Sequence, residues 1–238
     1  MSLQPALYLL PVSLSNAPIE NVLPALNISI LRELRVFIVE NLRTARRFLR
    51  EAIPGFDIDG SQFFELNNHT DPAAISSFLE PLRNGIPTGV MSEAGCPGVA
   101  DPGAQVIEIA QRENLKVIPL VGPSSILMAL MGSGFNGQHF CFHGYLPVKE
   151  PDKARTLRDL EAESARKDMT QIFIETPYRN NKTIELMSRT LRDRTLVCVA
   201  SELTDPEKEQ IITLPASAWR RKKYDFDKHP TIFLLHAR

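Results

Sequence analysis

The chain has 238 residues, of which 43% are hydrophobic and 23% charged, and a formal net charge of −1, proportions of an ordinary globular protein with ample core rather than of a generic polyanion binder. No apolar run reaches the roughly 20 residues that span a bilayer, and the N-terminus lacks a basic stretch followed by an apolar one, so neither a membrane span nor a secretion signal is expected. Cys96, Cys141 and Cys198 are odd in number and far apart, which argues for a reducing cytoplasm without a disulfide framework, and no Cys/His pair has zinc-ligand spacing, so no metal site is expected.

In chain order, apolar runs predict strands over residues 7–10, 36–39, 63–66, 88–91 and 117–121. Helical spacing predicts helices over residues 43–51, 73–83 and 102–113 between them. Strands joined by helices lie parallel, so the first half reads as a parallel α/β sheet. The second half predicts strands over 140–144, 171–175, 196–200, 209–213 and 231–236, with helices over 152–166, 180–191 and 216–223. A division after residue 119 gives two α/β domains, 1–119 and 120–238. Charge changes sign there: 9 Lys/Arg stand against 13 Asp/Glu before the division, and 18 against 15 after it.

The stretch from Gly89 to Ser125 is the densest in turn chemistry. One strand ends in Ser92-Glu93-Ala94-Gly95-Cys96-Pro97-Gly98, and the next in Gly122-Pro123-Ser124-Ser125. Ligands in parallel sheets bind beyond the carboxyl ends of strands, where both loops lie. The glycines permit close backbone approach and the prolines fix φ. Asp101 before Pro102, and Ser124-Ser125 after Pro123, also suit simple helix starts.

The Ser92–Gly103 segment followed by Val121-Gly122-Pro123-Ser124-Ser125 resembles the class III, tetrapyrrole-methylase-type family of S-adenosylmethionine-dependent methyltransferases. Its branch of ribosomal RNA small-subunit cytidine 2′-O-methyltransferases is the most similar. Leu7-Tyr8-Leu9-Leu10-Pro11, Val39-Glu40-Asn41-Leu42-Arg43, Gly144-Tyr145-Leu146-Pro147, Glu175-Thr176-Pro177-Tyr178-Arg179 and Ser201-Glu202-Leu203-Thr204 fall in the family's order. The resemblance implies a first domain with a mainly parallel sheet, a second with a mixed sheet, and a cofactor cleft between them. It implies S-adenosylmethionine held by Pro11, Glu93, Ala94, Gly95, Pro97, Val99, Asp101, Ser124 and Ser125, with Thr176, Leu203 and Thr231 from the second domain. It also implies a homodimer methylating a ribose 2′-hydroxyl of ribosomal RNA. A small-molecule, tetrapyrrole-like substrate, or a cofactor-binding homologue without ribosomal RNA activity, are the alternatives.

Methyl transfer from a sulfonium mainly requires alignment and exclusion of water, but a ribose hydroxyl is a weak nucleophile that a base or polarising group assists. Asn16, Glu40, Arg43 and His69 are the polar candidates at strand ends, with Asn67 and Asn68 beside His69. A loop histidine is also commonly just solvated, and Glu40 and Arg43 also suit a structural pair. Arg43, Arg46, Arg47 and Arg50 recur at helical spacing, a cationic stripe suited to phosphates or simply a solvated face. The run Trp219-Arg220-Arg221-Lys222-Lys223-Tyr224 offers aromatics for base stacking or for the core.

Four departures from the family pattern stand out. The first loop reads Pro11-Val12-Ser13-Leu14-Ser15-Asn16 without its glycine, and Glu93 replaces an aspartate. Ser201 and Asp205 stand where the pattern has cations, and His229-Pro230 replaces Gly-Glu. These changes spare cofactor binding more readily than recognition of one RNA site.

Overall fold

A computed structural model describes residues 3–237 and divides the chain into two units, Met1–Ser124 and Ser125–Arg238. The sequence places the division five residues earlier, before the Gly122-Pro123 turn.

The first unit runs β1 (Leu7–Leu10), α1 (Ile19–Val22), α2 (Ala25–Glu33), β2 (Val36–Val39), α3 (Leu42–Ala52) and β3 (Gln62–Glu65). It continues through α4 (Pro72–Ile75), a tighter turn at Ser76–Leu79, α5 (Glu80–Arg83), β4 (Thr88–Met91), α6 (Gly103–Arg112) and β5 (Val117–Pro119). All four strand pairings are parallel, in the order β3-β2-β4-β1-β5. Both faces are covered, which explains why β1, β2 and β4 read as continuous apolar runs. Tyr8, Leu10, Phe37, Val39 and Met91 pack into one core and Leu7, Ile38 and Val90 into the other.

The second unit runs α7 (Ser125–Ser133), β6 (Phe140–Tyr145), α8 (Glu150–Lys167), β7 (Thr170–Ile174), α9 (Asn180–Thr190), β8 (Leu196–Ser201), β9 (Gln210–Pro215), α10 (Ala216–Trp219) and β10 (Thr231–His236). Its sheet is mixed, in the order β6-β7-β10-β8-β9, with only β6 and β7 parallel. Phe173, Val199 and Phe233 meet Leu157, Leu160, Ile184 and Met187 from α8 and α9 in its core. The α/β class, the parallel first sheet and the mixed second sheet therefore stand as the sequence implies.

Some elements differ. The helix expected over 73–83 is α4, a tight turn and α5, the last with Pro81 in its first turn. The helix expected over 216–223 stops at Trp219. Past Trp219 the chain turns, the N–H groups of Arg221 and Lys222 both bonding to the Ala218 carbonyl. Among the described residues, no helix is long and apolar enough to cross a membrane.

Candidate functional site

The loops after β1, β4 and β5 converge at the carboxyl end of the first sheet. Val12 and Gly95 form an isolated antiparallel bridge between the first two. The thiol of Cys96 donates to the Pro123 carbonyl at 3.3 Å and ties in the third. A Cβ on Gly122 would lie 2.2 Å from the Cβ of Pro11, so only glycine lets these two loops approach as they do.

The loop after β4 is shaped by main chain and by one carboxylate. Oδ1 of Asp101 accepts from the backbone N–H groups of Gly98 and Gly103, each at 2.8 Å. Its role in the fold is thus to hold the turn that leads into α6. Burial raises its pKa, and these two hydrogen bonds oppose the rise. Pro97 is buried beneath the loop, while Glu93, Ala94 and Val99 are exposed on it.

Glu40 follows β2 and faces the same loop. Its pKa is raised, first by burial and then by the charges of Asp101 and Glu93, against a hydrogen bond from the Glu93 backbone N–H. Asn41 caps α3, its side chain accepting from the N–H groups of Arg43 and Thr44 at 2.9 and 3.2 Å. Thr44 then reaches back, its hydroxyl 3.5 Å from Oε1 of Glu93. Ser13, Asn16, Thr44, Arg47 and Glu93 line one cavity of about 90 Å³. Oγ of Ser13 is buried there without a hydrogen-bond partner among the described residues.

The structure therefore brings Asn16, Glu40, Arg47 and the Glu93–Asp101 loop together. Arg43, Arg46, Arg47 and Arg50 are all exposed on α3, and none has a carboxylate within 4.0 Å among the described residues. The guanidinium of Arg46 lies over the Phe63 ring at 5.2 Å from its centre. His69 stands apart: it is exposed after β3, the edge strand. Two strand spacings, about 10 Å, separate β3 from β4. Thr44 belongs to no turn or charge pattern and was missed, and Ser13 was named only as part of the altered first loop. The one available signal for Thr44 was its place in the first turn of a helix starting at a strand end.

In the second unit, Thr176 and Leu203 follow β7 and β8, and Thr231 starts β10, which is antiparallel to both. The three thus share one end of that sheet. Thr231 lies opposite Ser201, its hydroxyl donating to Oγ of Ser201 at 3.0 Å. The Asn180 amide fixes this end by donating to the carbonyls of Phe226 and His229 at 2.7 and 2.8 Å. His229, a departure from the family pattern, pairs with Glu202 at 2.7 Å. Ser125 opens α7 in this unit, whereas Ser124 closes the first.

The residues of the first unit suit S-adenosylmethionine. Gly95 at φ +72° and Gly122 against Pro11 shape the main chain of these loops. Glu40, Glu93 and Asp101 lie close enough to influence one another, and carboxylates gathered at these loops suit a molecule that carries a sulfonium and an ammonium. Among the described residues, no group of His, Cys, Asp and Glu side chains is placed to hold a metal ion.

No protein-family model matches the chain. It is 30% identical over 236 residues to ribosomal RNA small subunit methyltransferase I of Vibrio cholerae, covering 98% of this chain and 77% of that protein. It is 33% identical over 142 residues to the Haemophilus influenzae protein of the same name, covering 60% of this chain. There it spans about half, 49%, of the relative's length. Among solved structures, the methyltransferase CobJ superposes with a TM-score of 0.65 at 18% identity, covering 98% of this chain and 94% of CobJ. At that identity the likeness concerns the fold.

Proposed function

The chain belongs to the ribosomal RNA small subunit methyltransferase I family, within the class III tetrapyrrole-methylase type, and from that membership we propose that it methylates a ribose 2′-hydroxyl of ribosomal RNA. When bound, S-adenosylmethionine supplies an activated methyl group. Pro11, Glu93, Ala94, Gly95, Pro97, Val99 and Ser124 would hold it at the converging loops, with Asp101 keeping their shape. In the second unit, Ser125, Thr176, Leu203 and Thr231 are the residues to which this reading gives a part.

The chain's own groups would do the rest. Glu40 is the group best suited to take the hydroxyl proton, because burial and neighbouring carboxylates raise its affinity for a proton. Asn16 and Thr44 would orient the nucleophile from the cavity wall. Arg43, Arg46, Arg47 and Arg50 would contact phosphates. That exposed stripe, without a carboxylate partner among the described residues, is the observation that favours RNA over a small molecule. Three free cysteines suit work in the cytoplasm. A two-fold dimer, the commonest closed assembly, is the oligomer we propose.

The test is to incubate the protein with methyl-labelled cofactor and small ribosomal subunits from a strain lacking the gene. Label in a 2′-O-methylated nucleotide is the expected result. Cofactor binding in calorimetry with no label in RNA would move the substrate to the small-molecule class.

A further inference from the structure

The second unit carries a basic track outside the residues used above. Arg179 stands just before α9, Lys182 lies in its first turn and Arg189 in its last. The chain after α10 adds Arg220, Lys222 and Lys223. Two cavities lie along the track. One, of about 250 Å³, borders Lys153, Arg179 and Lys182. The other, of about 470 Å³, borders Arg189, Arg220, Lys222 and Lys223. Glu150 lines the first and accepts at 2.6 Å from Arg189, which lines the second, so the two are neighbours.

The charges on the track differ in what they already bind. Arg189 pairs with Glu150 and Glu185, and Arg220 with Asp193 at 2.8 Å. Lys153 is buried against Glu175. Arg179, Lys182, Lys222 and Lys223 have no carboxylate within 4.0 Å among the described residues. Four unpaired cations on one surface repel each other, and a regular polyanion relieves that repulsion. From Arg179 to Arg189 the track follows about 15 Å of helix, long enough for more than one phosphate.

The cations after α10 sit on a fixed base. Trp219 is buried, its indole N–H donating to the Val197 carbonyl at 3.1 Å. Tyr224 packs edge-on against Trp219 and stacks on Phe226. The N–H groups of Arg221 and Lys222 both bond to the Ala218 carbonyl, at 3.1 and 3.2 Å. A segment held this way loses little entropy when it meets a ligand. With the indole used inside the core, the segment offers charge and not a stacking face.

We propose that this track is a second phosphate-contacting surface for RNA, reading backbone and not base sequence. It rests on ribosomal RNA being the substrate and adds contacts distant in sequence from the α3 stripe. The experiment is filter binding of small-subunit ribosomal RNA over a salt series. It compares the wild type, K222A/K223A, R179A/K182A and the charge-preserving K222R/K223R. Each alanine pair should weaken binding and flatten the slope of log affinity against log salt by about two. The arginine pair should keep the wild-type slope, and melting temperature and cofactor affinity should stay unchanged in all. If the wild type shows a steep slope that both alanine pairs retain, the track carries no RNA and the proposal falls alone. If the wild type binds no RNA at low salt, the ribosomal RNA substrate falls with it.

Discussion

Val12 and Gly95 exchange both of their backbone hydrogen bonds, Val12 N–H to the Gly95 carbonyl at 2.9 Å and Gly95 N–H to the Val12 carbonyl at 3.0 Å. The bridge fixes the loop after β1 against the loop after β4. Gly95 holds it at φ +72°, a conformation that β-branched residues rarely adopt, and a Cβ there would sit 3.2 Å from Cδ2 of Leu14. Gly95→Val should strain this loop by about 1–3 kcal/mol and pull the bridge apart. The expected result is a lower melting temperature and loss of S-adenosylmethionine binding in calorimetry. Unchanged affinity would take this loop out of the cofactor site.

Glu40 gives a pH-dependent prediction. Its folded-state pKa is raised, first by burial, then by Asp101 and Glu93. The folded chain therefore holds this proton more tightly than the unfolded chain does. Its contribution to stability is present below the ordinary carboxylate range and is lost as pH rises through the raised value. Glu40→Gln should melt higher than the wild type at neutral pH, and the gap should close in acid. If Glu40 is the base, kcat should fall by about 10²–10⁴ in the same variant. Higher stability with undiminished kcat would leave Glu40 a purely structural carboxylate.

Arg46 and Arg47 test the α3 stripe. Both are exposed, and only Arg46 has a described partner for its guanidinium, the Phe63 ring. Replacing both with Ala should flatten the salt dependence of RNA binding by about two while cofactor affinity stays put. The lost ring contact should cost the fold only about 0.5–1 kcal/mol. A slope equal to that of the wild type would show a solvated face.

The parallel core was legible because β1, β2 and β4 are buried on both faces, and such strands need unbroken apolar runs like Val36–Val39. The turn-rich loops were legible because glycines with positive φ and prolines with fixed φ leave a mark in sequence. Helices α1 and α2 left almost none. Pro18 and Pro24 cap them without a side-chain hydrogen bond, and Ile28 and Ile30 weaken helix propensity. At the site, adjacency was the hidden quantity. Asn16, Thr44 and Glu93 meet only because β1, β2 and β4, far apart in sequence, are neighbours in the sheet. Asp101 engages Gly98 and Gly103 through Oδ1, a use of its carboxylate that sequence shares with any cap.

Lys153 and Glu175 form an ion pair whose side chains are each only 6% exposed. Thr183 donates to Oε2 of Glu175 at 3.3 Å, and the Thr176 N–H donates to Oε1 at 2.7 Å. Burial alone would raise the pKa of Glu175, but the hydrogen bonds from Lys153 and Thr176 outweigh it and hold it low. Its contribution to stability is therefore complete above the ordinary carboxylate range and is lost as pH falls through the depressed value. Lys153→Ala leaves a buried, uncompensated carboxylate and should cost about 3–5 kcal/mol in urea unfolding. Replacing both partners with apolar residues, K153M/E175L, should recover most of that loss and remove the acid sensitivity that the pair confers. Thr176 is held by the same carboxylate, so on the proposal that it contacts the cofactor, affinity should drop in the double variant even as stability returns. A single variant as stable as the wild type would show that water reaches Glu175 and that the pair does not hold this end of the sheet together.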